Sequence, residues 1–155
     1  MNSKLYLYIL VIFLFLTGCQ STPSLPQEAF HKGTLCNPPY DVNYNLLWDA
    51  AITATQELGY LPSNSYRENH YIQTDLRVQE DLGENKKKAT QVYIFFEKKK
   101  GGIRPEYILR ICVPRYESPL DKESWTYLGA DTSLQQRVKH NFQKALEKLY
   151  RERRI

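Results

Sequence analysis

The sequence predicts an α+β fold: a two-layer sandwich in which a four-stranded antiparallel sheet carries two helices on one face. Three observations predict it. One stripe of apolar residues at helical spacing opens the folded region, and a second closes it. Between them, apolar residues alternate with period two over several short segments separated by turn residues. Helix, four strands, helix in that order favours a meander with both helices packed on the same side.

The first helix is capped by Asp41 or Asn43, and Leu47, Ala51, Ala54 and Leu58 form its stripe beside Trp48, Ile52 and Thr55. Gly59 suits the position just past its last turn. A strand is predicted over residues 60–66, and Arg67, Glu68 and Asn69 make the turn that follows. Residues 71–78 alternate, placing Ile72, Thr74, Leu76 and Val78 on one side. The charged stretch QEDLGENKKK reads as a loop. In residues 89–98, Val92, Ile94 and Phe96 alternate with Tyr93 and Phe95, and Gly101-Gly102 turns the chain into the last strand. There Tyr107, Leu109, Ile111 and Val113 share a face. A looser segment leads to the final helix, where Thr132 with Gln135 forms a capping-box pattern and Asp131 competes as the cap. Leu134, Val138, Phe142, Ala145, Leu146 and Leu149 make its stripe. No internal repeat is present.

Ahead of the domain, Lys4 precedes twelve uncharged residues, 5–16. As a helix they would span about 18 Å, too short for a hydrocarbon core of about 30 Å, so the run reads as a secretory signal. It ends in Leu16-Thr17-Gly18-Cys19. This tetrapeptide resembles the lipobox of bacterial lipoproteins, and the resemblance implies cleavage before Cys19, a thioether-linked diacylglycerol on its sulfur and an N-acyl chain on its new amino group. Apart from that covalent lipid no cofactor is expected. Gln20 follows the cysteine where Asp would suggest inner-membrane retention in related families; the resemblance therefore implies the periplasmic leaflet of the outer membrane.

The expected organisation is residues 1–18 as signal peptide, 19–40 as lipidated N-terminus and tether with prolines at 23 and 26, and 41–155 as a single α+β domain. From Cys19 onward, 20 basic face 17 acidic residues. So small an excess does not indicate nucleic-acid binding. Its basic clusters (Lys86–Lys88, Lys98–Lys100, and Arg151, Arg153 and Arg154) read as solvated turns and helix ends, or as contacts with anionic headgroups.

The stretch LLWDAAITATQELGY…SYRENHYIQTD is similar to the opening of helix-grip domains in envelope lipoproteins, such as the third lipoprotein of the β-barrel assembly complex (BamC-like). The lipopolysaccharide-assembly lipoprotein family (LptE-like) shares a related two-helix, four-strand plan. The resemblance implies a helix-grip-like architecture and a non-catalytic scaffolding role within an envelope protein complex.

No residue pattern points to an enzyme. His31, His70 and His140 are far apart, no paired Cys/His spacing suits a metal, and neither a GxSxG context nor a phosphate-binding glycine loop is present. With Cys19 carrying lipid, Cys36 and Cys112 remain as an even pair in an oxidising compartment. Either they form a disulfide that folds residues 36–40 across the sheet face bearing Tyr93 and Phe95, or they stay as thiols. If that face is uncovered, Tyr93, Phe95 and Ile108 beside Arg110 form an apolar strip suited to a partner. The functional expectation is a membrane-anchored, protein-binding assembly component, with a lipid, lipopolysaccharide or glycan binder as the alternative.

Cys19→Ser is expected to abolish incorporation of a clickable fatty acid and to release the protein from membranes. Labelling that survives the substitution would overturn the lipobox reading.

Overall fold

The structure is a computed structural model that describes residues 23–100, 104–122 and 124–153, without the side chains of residues 37 and 38. The lipobox, Gly101-Gly102 and Arg154 lie outside the described residues. In chain order the elements are α1 (Gln27–His31), β1 (Thr34–Tyr40), α2 (Tyr44–Gln56), β2 (Pro62–Tyr66), β3 (Tyr71–Thr74), β4 (Arg77–Asp81), β5 (Lys86–Thr90), β6 (Tyr93–Lys98), β7 (Tyr107–Cys112), β8 (Pro114–Pro119), β9 (Thr126–Ala130) and α3 (Thr132–Glu152). None of the described helices is long and apolar enough to cross a membrane.

The α+β class holds, and the sheets are antiparallel, but there are two of them. One has five strands in the order β1-β7-β6-β3-β2, the other four in the order β4-β5-β8-β9. They share their chain: β3 runs into β4, β5 into β6 and β7 into β8 with at most two residues between. Three bent strands thus pass from one sheet to the other. The four predicted strands correspond to β2, β3, β6 and β7, adjacent in that reverse order within the first sheet. The expected single four-stranded sheet is corrected by what lies around them.

β1, the β4–β5 hairpin and β9, which lies in the looser segment before the last helix, all escaped prediction, the first two for a plain physical reason. The β4–β5 hairpin pairs Glu80 with Lys87 and Asp81 with Lys86, and Lys88 reaches Asp81 at 3.1 Å and Glu84 at 2.9 Å. Its strands are held by backbone bonding and opposite charges across the pair, so no apolar alternation announces them. β1 contains two prolines and a break in register between Cys36 and Tyr40, both tolerable on an edge strand. The domain therefore begins well before Asp41: residues 23–40, read as a tether, fold onto the sheet.

The bend is pinned by buried polar groups. Thr74 and Gln91 are almost fully buried. The Thr74 hydroxyl accepts from the Val92 amide at 3.0 Å, and the Thr74 carbonyl accepts from Gln91 Nε2 at 2.6 Å. The Tyr93 hydroxyl donates to Gln91 Oε1 at 2.7 Å. In the strand of β3 and β4 the alternation slips by one residue at the bend. Ile72 and Thr74 are buried, whereas Val78 pairs with Ala89 on the opposite face and is exposed.

Both long helices cover one face of the five-stranded sheet, as expected. Their stripes meet Ile72, Val92, Ile94, Phe96, Leu109 and Ile111 in one core. Asn43 caps α2 by accepting from the Asn45 amide at 2.8 Å, and Gly59 ends it at φ +78°. Asp131, not Thr132, caps α3, accepting from the Leu134 amide at 2.9 Å. Gln135 is thereby left to accept from the Thr34 hydroxyl and to donate to the Lys32 carbonyl, tying α3 to the N-terminal segment.

Phe142 is fully buried between the helices and the sheet, its ring 5.5 Å from that of Tyr40. Phe142→Ala is expected to lower stability by about 3–5 kcal/mol, read as a reduced urea midpoint with an unchanged slope. A loss below about 1 kcal/mol would contradict this packing.

Candidate functional site

On the face away from the helices, one cross-strand row traverses all five strands of the first sheet. Leu35 opposes Arg110, Arg110 opposes Phe95, Phe95 opposes Tyr71 and Tyr71 opposes Tyr66. The Phe95 and Tyr71 rings stack with centroids 6.1 Å apart, and Tyr71 and Tyr66 lie 6.0 Å apart. Arg110 Nε donates to Glu97 Oε1 at 2.6 Å, and Glu97 opposes Ile108 in the neighbouring row.

Tyr93, Phe95, Ile108 and Arg110 do share this face, yet they do not form an open strip. Residues 23–33 lie over it. Phe30 meets Phe95 edge-on at 5.1 Å, and the Arg110 guanidinium sits 4.7 Å from the Phe30 ring centre. Tyr93 is only 4% exposed, its hydroxyl, whose proton goes to Gln91, lying 3.5 Å from the Pro23 carbonyl, and Tyr116 donates to the carbonyl of Ser24 at 3.2 Å. Gly33 makes the close crossing possible. A Cβ there would stand 2.6 Å from Cys112 Sγ and 2.9 Å from Arg110 Cγ. The more exposed end of the row is at β2, where Tyr66 is 52% exposed against 36% for Leu35 at the β1 end. There β2 pairs with no described strand but β3, and Leu61 beside it is 59% exposed.

Cys36 and Cys112 are both buried thiols, and the proposed bridge is corrected. Cys36 opposes Leu109 and joins the helix-side core, whereas Cys112 opposes Tyr93 on the other face. A five-stranded sheet separates them. The cover expected from residues 36–40 is supplied instead by residues 23–33. Burial pushes the Cys36 thiol up to about 11 and the Cys112 thiol up to about 12.

A second feature lies where the second sheet projects past the helices. Its helix-side face, the linker after α2 and the first turns of α3 border a cavity of about 700 Å³ that is open to solvent on one side. Arg77 enters it from β4, Arg115 from β8 and Arg137 from α3. Arg77 Nη1 donates to the Leu58 carbonyl at 3.1 Å, and its guanidinium stacks 5.5 Å from the Tyr60 ring centre. Arg115 and Arg137 form no ion pair with any described residue. Arg137 is legible in the sequence as part of the basic side of the last helix, but Arg77 and Arg115 are isolated there and outside the basic clusters; only the bend and the return of α3 bring the three together. The three histidines stay apart, and among the described residues no three His, Cys, Asp or Glu side chains gather as they would to share a metal ion.

Searches against protein-family models give no match, and neither does a search of curated protein sequences.

Both thiols resist ionisation in the fold, so their contribution to stability is fully present below pH 9.0, the ordinary thiol value. Above it the unfolded chain loses these protons while the folded chain retains them. Stability is expected to fall from pH 9 toward pH 11–12, approaching about 1.4 kcal/mol per pH unit for each thiol. Replacing both cysteines by Ala should flatten the decline between pH 9 and 10, before the tyrosines join. An identical decline in the double variant would refute the assignment.

Proposed function

We propose that the protein is a lipid-anchored, non-catalytic binding component of the bacterial envelope, held at the periplasmic leaflet of the outer membrane, whose partner is another envelope protein. The exposed end of the outer aromatic row carries this reading. Tyr66 and Leu61 flank an edge strand whose hydrogen-bonding side is free among the described residues. Aromatic side chains beside an open edge offer a partner both apolar area and backbone pairing.

The anchor supports the same reading through geometry. Four residue steps separate Cys19 from Pro23, and an extended chain spans at most about 3.6 Å per residue, so the lipidated sulfur lies within roughly 15–20 Å of the folded surface. Three acyl chains anchor stably where one binds reversibly. The domain would therefore work close to the leaflet, oriented by the contacts of Pro23 and Ser24 with Tyr93 and Tyr116.

A photo-crosslinking amino acid placed at position 66 in cells is expected to trap one predominant protein. The same group at Leu82, which is 78% exposed at the tip of the β4–β5 hairpin, should not. No adduct at 66, or an equal pattern at both positions, would overturn the proposed surface.

A further inference from the structure

We propose that the cavity beneath the first turns of α3 is a binding site for a phosphate group carried on a partly apolar ligand. The site requires neither the lipid on Cys19 nor a protein at β2, so it can fail while that reading stands.

Charge is the first argument. Among the described residues every arginine outside the cavity meets a carboxylate, and so do several of the lysines, though not all of them. Lys86 pairs with Glu117, Lys99 with Glu106, and Arg67 and Arg153 both with Asp49. Lys88, at the cavity wall, is also neutralised, by Asp81 and Glu84. Arg77, Arg115 and Arg137 are different: three guanidinium groups from three elements share the cavity with a single described acidic lining residue, Asp131. One oxygen of Asp131 is already committed to the Leu134 amide at the helix cap. Three like charges around one concavity repel one another and raise the local concentration of anions.

Geometry selects among anions. A guanidinium presents a planar fork of donors that pairs with two oxygens at once. A carboxylate has only two oxygens and one charge, which a single arginine satisfies. A phosphate group has more oxygens and up to two charges, matching arginines that approach from separate walls. Arg77 is already aimed by its bond to the Leu58 carbonyl and its stacking on Tyr60, so part of the ordering cost of binding is met before the ligand arrives. The positive end of the 21-residue helix α3 opens onto the same space and adds to the field.

Size and lining indicate the rest of the ligand. About 700 Å³ is far more than a bare phosphate fills and within the range of organic ligands. Leu58 and Leu128 line it with the Tyr60 ring, and Leu128 is 44% exposed. The phosphate belongs either to a soluble phosphorylated metabolite or to a lipid headgroup with its first methylenes.

The intact protein in detergent would be titrated calorimetrically with three water-soluble probes: inorganic pyrophosphate, glycerol 3-phosphate and dihexanoyl phosphatidate. Saturable binding is expected, at least tenfold weaker in Arg115→Gln and in Arg137→Gln. Both arginines are exposed and form no ion pair with a described residue, so the unliganded melting temperature should hold in either variant. Arg151→Gln, at the far end of α3, is the control and should bind as wild type. Phosphatidate at least tenfold tighter than glycerol 3-phosphate identifies a lipid headgroup as the source; equal affinities identify a soluble phosphorylated molecule. No binding of any probe, or wild-type affinity in both cavity variants, overturns the proposal.

Discussion

The fold turns on the hydrogen bonds between Thr74 and the Gln91–Val92 step. Three strands bend at one crease, and their backbone groups leave ladder geometry where water cannot replace the lost partners. The Thr74 hydroxyl and carbonyl and the Gln91 amide occupy those positions, and the Tyr93 hydroxyl completes the set. Buried polar groups cost least when every member is satisfied. With the crease held, the first sheet lies beneath the helices while the second projects past them. The cavity exists because of that projection. The three arginines around it meet only because β4, β8 and the start of α3 arrive at the same bend.

Much of this was legible wherever burial imposes a period. Val92, Ile94 and Phe96 alternate because one face of β6 meets the helices, and the stripes of α2 and α3 follow from the same core. Legibility failed where another interaction does the work. The β4–β5 hairpin is held by cross-strand charge, so its composition reads as loop. β1 carries two prolines that an edge tolerates, so its composition reads as tether. The cysteine pair failed for a different reason. Alternation placed Cys112 on the face away from the helices, but the face of Cys36 depends on its pairing with Leu109, which no local pattern reveals.

The outer face shows how cover and exposure divide one continuous aromatic row. Over β6 and β7 the chain's own N-terminal segment lies on it, with Phe30 against Phe95 and Arg110. At the β2 end nothing described lies on it. One row of side chains therefore does two jobs. Its middle gives the N-terminal segment a seat, and its β2 end presents tyrosine to whatever approaches.

The seat on that face also sets how the domain answers mechanical load. A pull on the chain from its N-terminal side reaches the core through a series of contacts. It first strains the contacts of Pro23 and Ser24 with two tyrosine hydroxyls, then the Phe30 ring, and only then the ladder of β1 on β7. Links loaded in series yield one at a time, weakest first. Residues 23–33 thus act as a fuse, lengthening the chain and absorbing tension before any strand of the sheet is asked to part.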